Sequence, residues 1–160
     1  MTRRPKDIGT AAETAVVRAA RSRGFGLADR LTLTGQHDRG DVRLTPGLVA
    51  GVVAEVKGGN AARNSSDQQV RAWLAEAEQE RTNADADVAV LVTQRAGYSA
   101  ARADLWWAYT TAGTLADLLD SGVMPPDPGE PVRVTLAAML SLLRAAGYGD
   151  PIDETLEGTA

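Results

Sequence analysis

The sequence predicts an α/β protein: a mixed β-sheet flanked by helices. Two near-continuous apolar runs, Val49–Val56 and the VAVLVT that follows Asp87, have the length and β-branched content of buried strands. Two segments with apolar residues at helical spacing separate and precede them. The resulting order is helix, three strands, helix, strand, strand, an alternation that builds a sheet covered by helices.

The first helix opens at Thr10-Ala-Ala-Glu13, which has the spacing of a capping box, and runs to a glycine stop at Gly24. Ala12, Val16, Ala19 and Ala20 share one face, with Arg18 and Arg21 off it. Short strands are expected at Leu31–Thr34, Asp41–Leu44 and Val49–Val56. Ser65-Ser-Asp-Gln starts a second helix that reaches about Thr82, its stripe made by Val70, Trp73, Leu74 and Ala77. After the Asp87 strand, Trp106–Tyr109 is a further strand and Thr114–Ser121 a short helix. Pro125-Pro-Asp-Pro-Gly-Glu-Pro131 can be neither helix nor central strand and reads as a linker. Val134–Ala146 carries Leu136, Met139, Leu140 and Leu143 on one face, to be buried against the main domain or against another chain. The organisation expected is a core domain over 1–122, a Pro-rich linker over 123–133, and a C-terminal helix with an acidic tail over 134–160.

Composition narrows the chemistry. The chain has no cysteine and one histidine, His37, which excludes disulfides, thiolate catalysis, Cys-ligated zinc and any site needing two imidazoles. A metal here would be held by oxygen, which points to Mg²⁺ or Mn²⁺. No apolar run reaches 18 residues and MTRRPKDIGT lacks the apolar segment of a secretory signal, so a cytoplasmic protein without a membrane partner is expected. The net charge of −4 divides unevenly: residues 1–63 hold eleven Lys/Arg against six Asp/Glu, and residues 64–160 six against fifteen. The positive half contains the most distinctive motif.

That motif is AEVKGGN, Ala54 to Asn60. Residues two apart on a strand share a face, so Glu55 and Lys57 are presented together while Val56 points to the opposite, apolar side. Gly58 and Gly59 leave the backbone bare for a close approach, such as that of a hydrated metal with a phosphodiester. One carboxylate alone holds Mg²⁺ poorly, and Asp41 at the start of the preceding strand is the natural partner, with Asp38 in the loop as a second choice. Strand parity decides between outcomes. A two-residue turn at Pro46-Gly47 would put Asp41 on the face of Val56; a longer or bulged connection, running as far as Gly51, sets Asp41 across from Glu55.

Gly40-Asp41-Val, about a dozen residues, then Glu55-Val-Lys57, preceded by a helix bearing Glu13, resembles the PD-(D/E)xK nuclease superfamily. Within it the archaeal-type Holliday junction resolvases are most similar, over roughly Gly9 to Thr93; Gly40 stands where a proline often precedes the aspartate. The resemblance implies a restriction-endonuclease-like fold. It implies that Asp41, Glu55, the Val56 carbonyl and Glu13 hold a divalent metal, and that Lys57 positions or activates the attacking water. Gln69 with Trp73 four residues on matches a glutamine–aromatic pattern that many superfamily members carry on the helix after the lysine strand. The implied activity is Mg²⁺-dependent hydrolysis of phosphodiesters in branched DNA by a homodimer, with a restriction or repair nuclease, or an inactive nucleic-acid-binding module, as alternatives. Arg3, Arg4, Lys6, Arg39 and Arg63 are candidates for phosphate contact.

Simpler roles compete with each assignment. Glu13 could only close the capping box with Thr10, and Glu55 with Lys57 could be an ion pair that protects a sheet edge. His37 could be a loop residue or a phosphate contact, Gln69 a cap, and Trp73 core. The Trp106-Trp107 pair could stack on bases, pack in the core or meet a second chain.

Overall fold

The computed structural model describes residues 2, 4–32 and 39–152. Arg3, His37, Asp38, the second half of the expected Leu31–Thr34 strand and the acidic tail from 153 lie outside the described residues. The protein is an α/β structure with a six-stranded mixed sheet. Its elements are α1 (Pro5–Arg21), β1 (Asp29–Arg30), β2 (Val42–Arg43), β3 (Val52–Lys57), α2 (Gly59–Arg63), α3 (Asp67–Asn83), β4 (Val88–Thr93), a 3₁₀ turn (Ala100–Leu105), β5 (Trp107–Thr111), α4 (Ala112–Leu118), β6 (Pro131–Thr135) and α5 (Leu136–Ala145). The strands lie in sequence order across the sheet, and only β3 and β4 run parallel, joined by the α3 crossover.

Strand parity divides the core in two. Val52, Ala54 and Val56 of β3 and Val88, Val90 and Val92 of β4 face one side, where Ala12, Ala15, Val16 and Ala20 of α1 and Leu136, Met139, Leu140 and Leu143 of α5 cover them. Val53, Ala89 and Leu91 face the other side, under Val70, Leu74 and Ala77 of α3. The valine runs read as uniformly apolar because both faces of β3 and β4 are buried.

Several boundaries differ from the sequence expectation, each for a local reason. Helix α1 begins at Pro5, whose fixed φ and missing N–H suit the first helical turn. Thr10 and Glu13 therefore lie mid-helix, and no capping box forms. β1 comes earlier than expected, at Asp29–Arg30, with Leu31 N–H still donating to the Asp41 carbonyl at 2.8 Å. Residues 123–133 are not simply a linker. Pro131–Thr135 adds β6 to the free edge of β5, where a proline that cannot donate is tolerated. Thr135 then caps α5 by accepting from Ala138 N–H, and α5 completes the main core, so the expected appendage is part of the domain.

The β2–β3 connection is the wide one. Thr45 Oγ1 donates to the Gly47 carbonyl at 2.7 Å and accepts from Val52 N–H at 3.0 Å, while Gly51 N–H donates to the Leu48 carbonyl. A Cβ at Gly51 would stand 2.2 Å from Thr45 Oγ1, so this loop requires glycine there. Val42 consequently pairs with Ala54 and Arg43 with Val53. One residue earlier, Asp41 N–H donates to the Ala54 carbonyl at 3.1 Å, and its carboxyl comes within reach of the Glu55 charge.

Gly58 has a different use from the one its sequence context suggests. A Cβ there would meet the Ala12 Cβ at 2.7 Å and the Ile8 carbonyl at 3.3 Å, so what approaches the bare backbone is α1. Gly58 is also the N-cap of α2, which turns the chain away directly after Lys57. Gly58→Ala is expected to destabilise the fold by about 1–3 kcal/mol through this overpacking, measured as a lower midpoint in urea with an unchanged slope.

Candidate active site

β3 carries Glu55 and Lys57 on the α3 side of the sheet, where Lys57 reaches Glu76, and Asp41 enters the site directly before β2. Asp41 Oδ2 accepts from Val56 N–H at 2.8 Å, which fixes the aspartate against β3. Lys57 Nζ donates to Glu55 Oε1 at 2.6 Å and reaches Glu76 Oε2 of α3 at 3.5 Å. The Glu55 side chain is 8% exposed and the Lys57 side chain 26%, so the pair sits at the lip of the buried layer. The second Glu55 oxygen, Oε2, is buried with no hydrogen-bond partner. Leaving a carboxylate oxygen so is costly unless a cation serves it.

The electrostatics show how strained this gathering is. Burial pushes the Asp41 carboxyl up to about 7, the Glu55 charge adds to that, the Val56 N–H opposes it, and the Glu13 charge raises it further against Lys57. Burial alone would lower the Lys57 pKa. The hydrogen bond to Glu55 and the charges of Glu55, Glu76 and Asp41 outweigh it and hold the ammonium above its ordinary value. Lys57 is thus a permanently charged group at neutral pH, suited to orienting and charge stabilisation.

Comparison of the chain with protein-family models, with curated proteins and with solved structures finds no match.

The structure brings some sequence-predicted residues together and leaves others apart. Asp41 accepts from Val56 N–H and Glu55 from Lys57, and the Glu55 charge acts on Asp41. Glu13 comes near enough for its charge to act on Asp41, but its carboxylate is held by Arg30 Nε at 2.7 Å. Among the described residues no three carboxylate or imidazole groups form a ready-made metal cluster. Gln69 lies exposed in the first turn of α3, where its N–H donates to Ser66 Oγ. Trp73 is half-buried against Val70, Leu74, Leu91 and Tyr109, with Lys57 Nζ 5.8 Å from its ring centre. Of the candidate phosphate-contacting cations, Arg4, Lys6 and Arg39 are exposed, and Arg63 donates to Asn60 Oδ1.

Three neighbours escaped the sequence reading. Glu76 and Glu80 lie one turn apart on α3. Glu80 is buried, and a Cβ at Gly40 would lie 3.4 Å from its Oε2, which sets that carboxylate beside the start of β2. Glu80 continues the stripe of Val70, Leu74 and Ala77, and an acid on an apolar stripe is the signal that could have revealed it. Gln94 follows β4, accepts from Gly59 N–H through Oε1 at 2.8 Å, and thereby fixes the turn after Lys57.

Proposed function

We propose that this protein is a metal-dependent DNA endonuclease of restriction-endonuclease-like fold, acting on branched DNA as a homodimer. The observation that carries the reading is the approach of Asp41 to Glu55, close enough for their charges to act on each other, with Lys57 hydrogen-bonded to Glu55. The helix, antiparallel meander, crossover helix and parallel strand around it agree with that fold.

The residues fit a hard divalent cation. The donors are oxygens, one Glu55 oxygen is buried without a partner, and burial together with the Glu55 and Glu13 charges raises the Asp41 pKa, a shift that a bound cation would relieve. Asp41 and Glu55 would hold Mg²⁺ or Mn²⁺, with the Val56 carbonyl and Glu13 as further ligands. When bound, such an ion makes water more acidic and relieves charge on the phosphate and the leaving oxygen. The protein's own part is positional. Val56 N–H fixes Asp41, Glu55 anchors the Lys57 ammonium, and Lys57 orients the water and neutralises charge developing on the scissile phosphate. Two copies of the chain would place two such centres for a symmetric cut of two strands.

An assembly role for the Leu136–Leu143 face loses its surface, because Leu136, Met139, Leu140 and Leu143 are all buried within the chain. A binding module without catalysis remains the second reading, since a fold does not guarantee chemistry.

The test is incubation of the purified protein with a four-way junction and its matching linear duplex, with Mg²⁺ or with EDTA. The expected result is cleavage with Mg²⁺, none with EDTA, and preference for the junction. Equal cutting of both would favour a restriction or repair nuclease. Retention of DNA without cutting would convert the reading to the binding module, and neither retention nor cutting would overturn it.

A further inference from the structure

The α3 face of the sheet carries a second cationic feature beside the candidate centre. Lys57, Thr93 and Trp107 pair in turn across β3, β4 and β5, so Trp107 lies two strand spacings from Lys57, about 10 Å. Trp73 and Trp107 pack on the same apolar cluster of Val70, Leu74, Leu91 and Tyr109, which makes the surface between them continuous. Trp107 holds two guanidinium groups. Arg95 lies 3.8 Å from its ring centre and Arg133 4.1 Å, and Arg95 also stacks on Tyr98 at 4.6 Å.

Tyr98, Arg95, Trp107 and Arg133 form an alternating ladder in which neither arginine makes an ion pair among the described residues. The same half of the chain is rich in carboxylates, and three of its other four arginines use them: Arg71 pairs with Glu130, Arg81 with Glu78 and Arg102 with Asp104, while Arg144 donates to the Asp150 carbonyl. Arg95 spends one N–H on the Leu105 carbonyl at 3.3 Å, and Arg133 stands exposed on the edge strand β6. Stacking on an aromatic face fixes a guanidinium plane while leaving its N–H edges for an anion, and a fixed fork matches phosphate oxygens.

We propose that Arg95 and Arg133, held by Trp107, bind backbone phosphates of the nucleic-acid strand flanking the one cut at the Asp41–Glu55–Lys57 centre. The proposal rests on the nuclease reading. A distance of about 10 Å corresponds to roughly three nucleotides at the 3.4 Å rise of one strand of B-form DNA. Trp107 in this arrangement is a scaffold for the two cations more than a stacking platform for bases.

The experiment is fluorescence-anisotropy titration of a labelled duplex and junction in EDTA over a series of salt concentrations, with wild type, Arg133→Gln, Arg133→Lys and the double variant Arg95→Gln/Arg133→Gln. Each phosphate contact contributes about 0.9 to the slope of log K against log salt. The double variant is expected to lose about 1.8 from that slope and Arg133→Gln about 0.9, with Arg133→Lys close to wild type in slope. Arg133→Gln removes an exposed side chain, so its melting temperature should stay at the wild-type value even if the double variant unfolds early. Variant slopes equal to the wild-type slope would overturn the ladder's role, and would leave the nuclease reading standing where the wild type cuts DNA. A wild type that neither binds nor cuts would overturn both.

Discussion

Lys57→Ala should lower Mg²⁺-dependent cleavage by about 10²–10³-fold while DNA retention falls little. That range is what removal of one preorganised charge-stabilising group costs in other hydrolytic sites. The structure gives the reason for expecting it here. Glu55 anchors the ammonium at 2.6 Å, and Glu76 approaches it from α3, so its position is set before any substrate arrives. Lys57→Arg keeps the charge but replaces a compact donor with a longer planar fork, and should recover only part of the rate. The check is single-turnover cleavage, with binding measured separately, because a loss confined to the chemical step separates this role from a binding role. Equal rates for wild type and Lys57→Ala would remove Lys57 from the mechanism.

Asp41→Asn should stabilise the metal-free protein at pH 8 by about 2–4 kcal/mol, the scale of a carboxyl pKa raised from 3.8 to about 7. The sign follows from proton binding. The folded chain takes up a proton at Asp41 near pH 7 and the unfolded chain only near pH 4, so between these values folding gains free energy as the pH falls. In EDTA the wild type should therefore be more stable at pH 5 than at pH 8, and Asp41→Asn should flatten that dependence. Asparagine retains an acceptor for Val56 N–H, so the substitution removes charge without abandoning the hydrogen bond. Addition of Mg²⁺ should raise the wild-type melting temperature at pH 8 and leave Asp41→Asn almost unmoved, since a ligand stabilises only the state that binds it. Chemical-denaturation midpoints across pH measure the first two, and thermal melts at pH 8 with and without Mg²⁺ measure the third. A wild type more stable at pH 8 than at pH 5 in EDTA would contradict the account.

The parts of the fold that sequence reveals are those decided by local chemistry. The valine runs of β3 and β4 announce strands because both faces are buried, and the stripes of α3 and α5 announce helices because each has one buried side. The approach of Asp41 to Glu55 was only conditionally legible. It depends on how residues 45–51 are folded, and that is settled when the Thr45 hydroxyl captures Val52 N–H, a bond across seven residues that no dipeptide rule foresees. β6 was hidden by its own composition. A segment between prolines reads as a connector unless an edge with free hydrogen-bonding groups lies beside it, and β5 provides that edge. Glu13 had the right spacing for a cap, but Pro5 had already started the helix nearly two turns earlier, which left the glutamate for Arg30. Gly58 and Gly59 suggested ligand access, whereas the packing of α1 on Gly58 is a contact between distant segments. Among the described residues no helix is long and apolar enough to cross a membrane, in line with the absence of such a run in the sequence.

The lateness of α5 in the chain has a consequence for biosynthesis. Met139, Leu140 and Leu143 cover the same valine-rich surface as α1, and Asp150 N–H donates to the Gly24 carbonyl at 2.7 Å beyond them. A nascent polypeptide halted anywhere before Leu136 would therefore leave that surface half dressed and open to adhesion with its neighbours. Folding must wait until α5 has left the ribosome, so Lys57 and the acids around it gain their fixed spacing only after Ala145 has emerged.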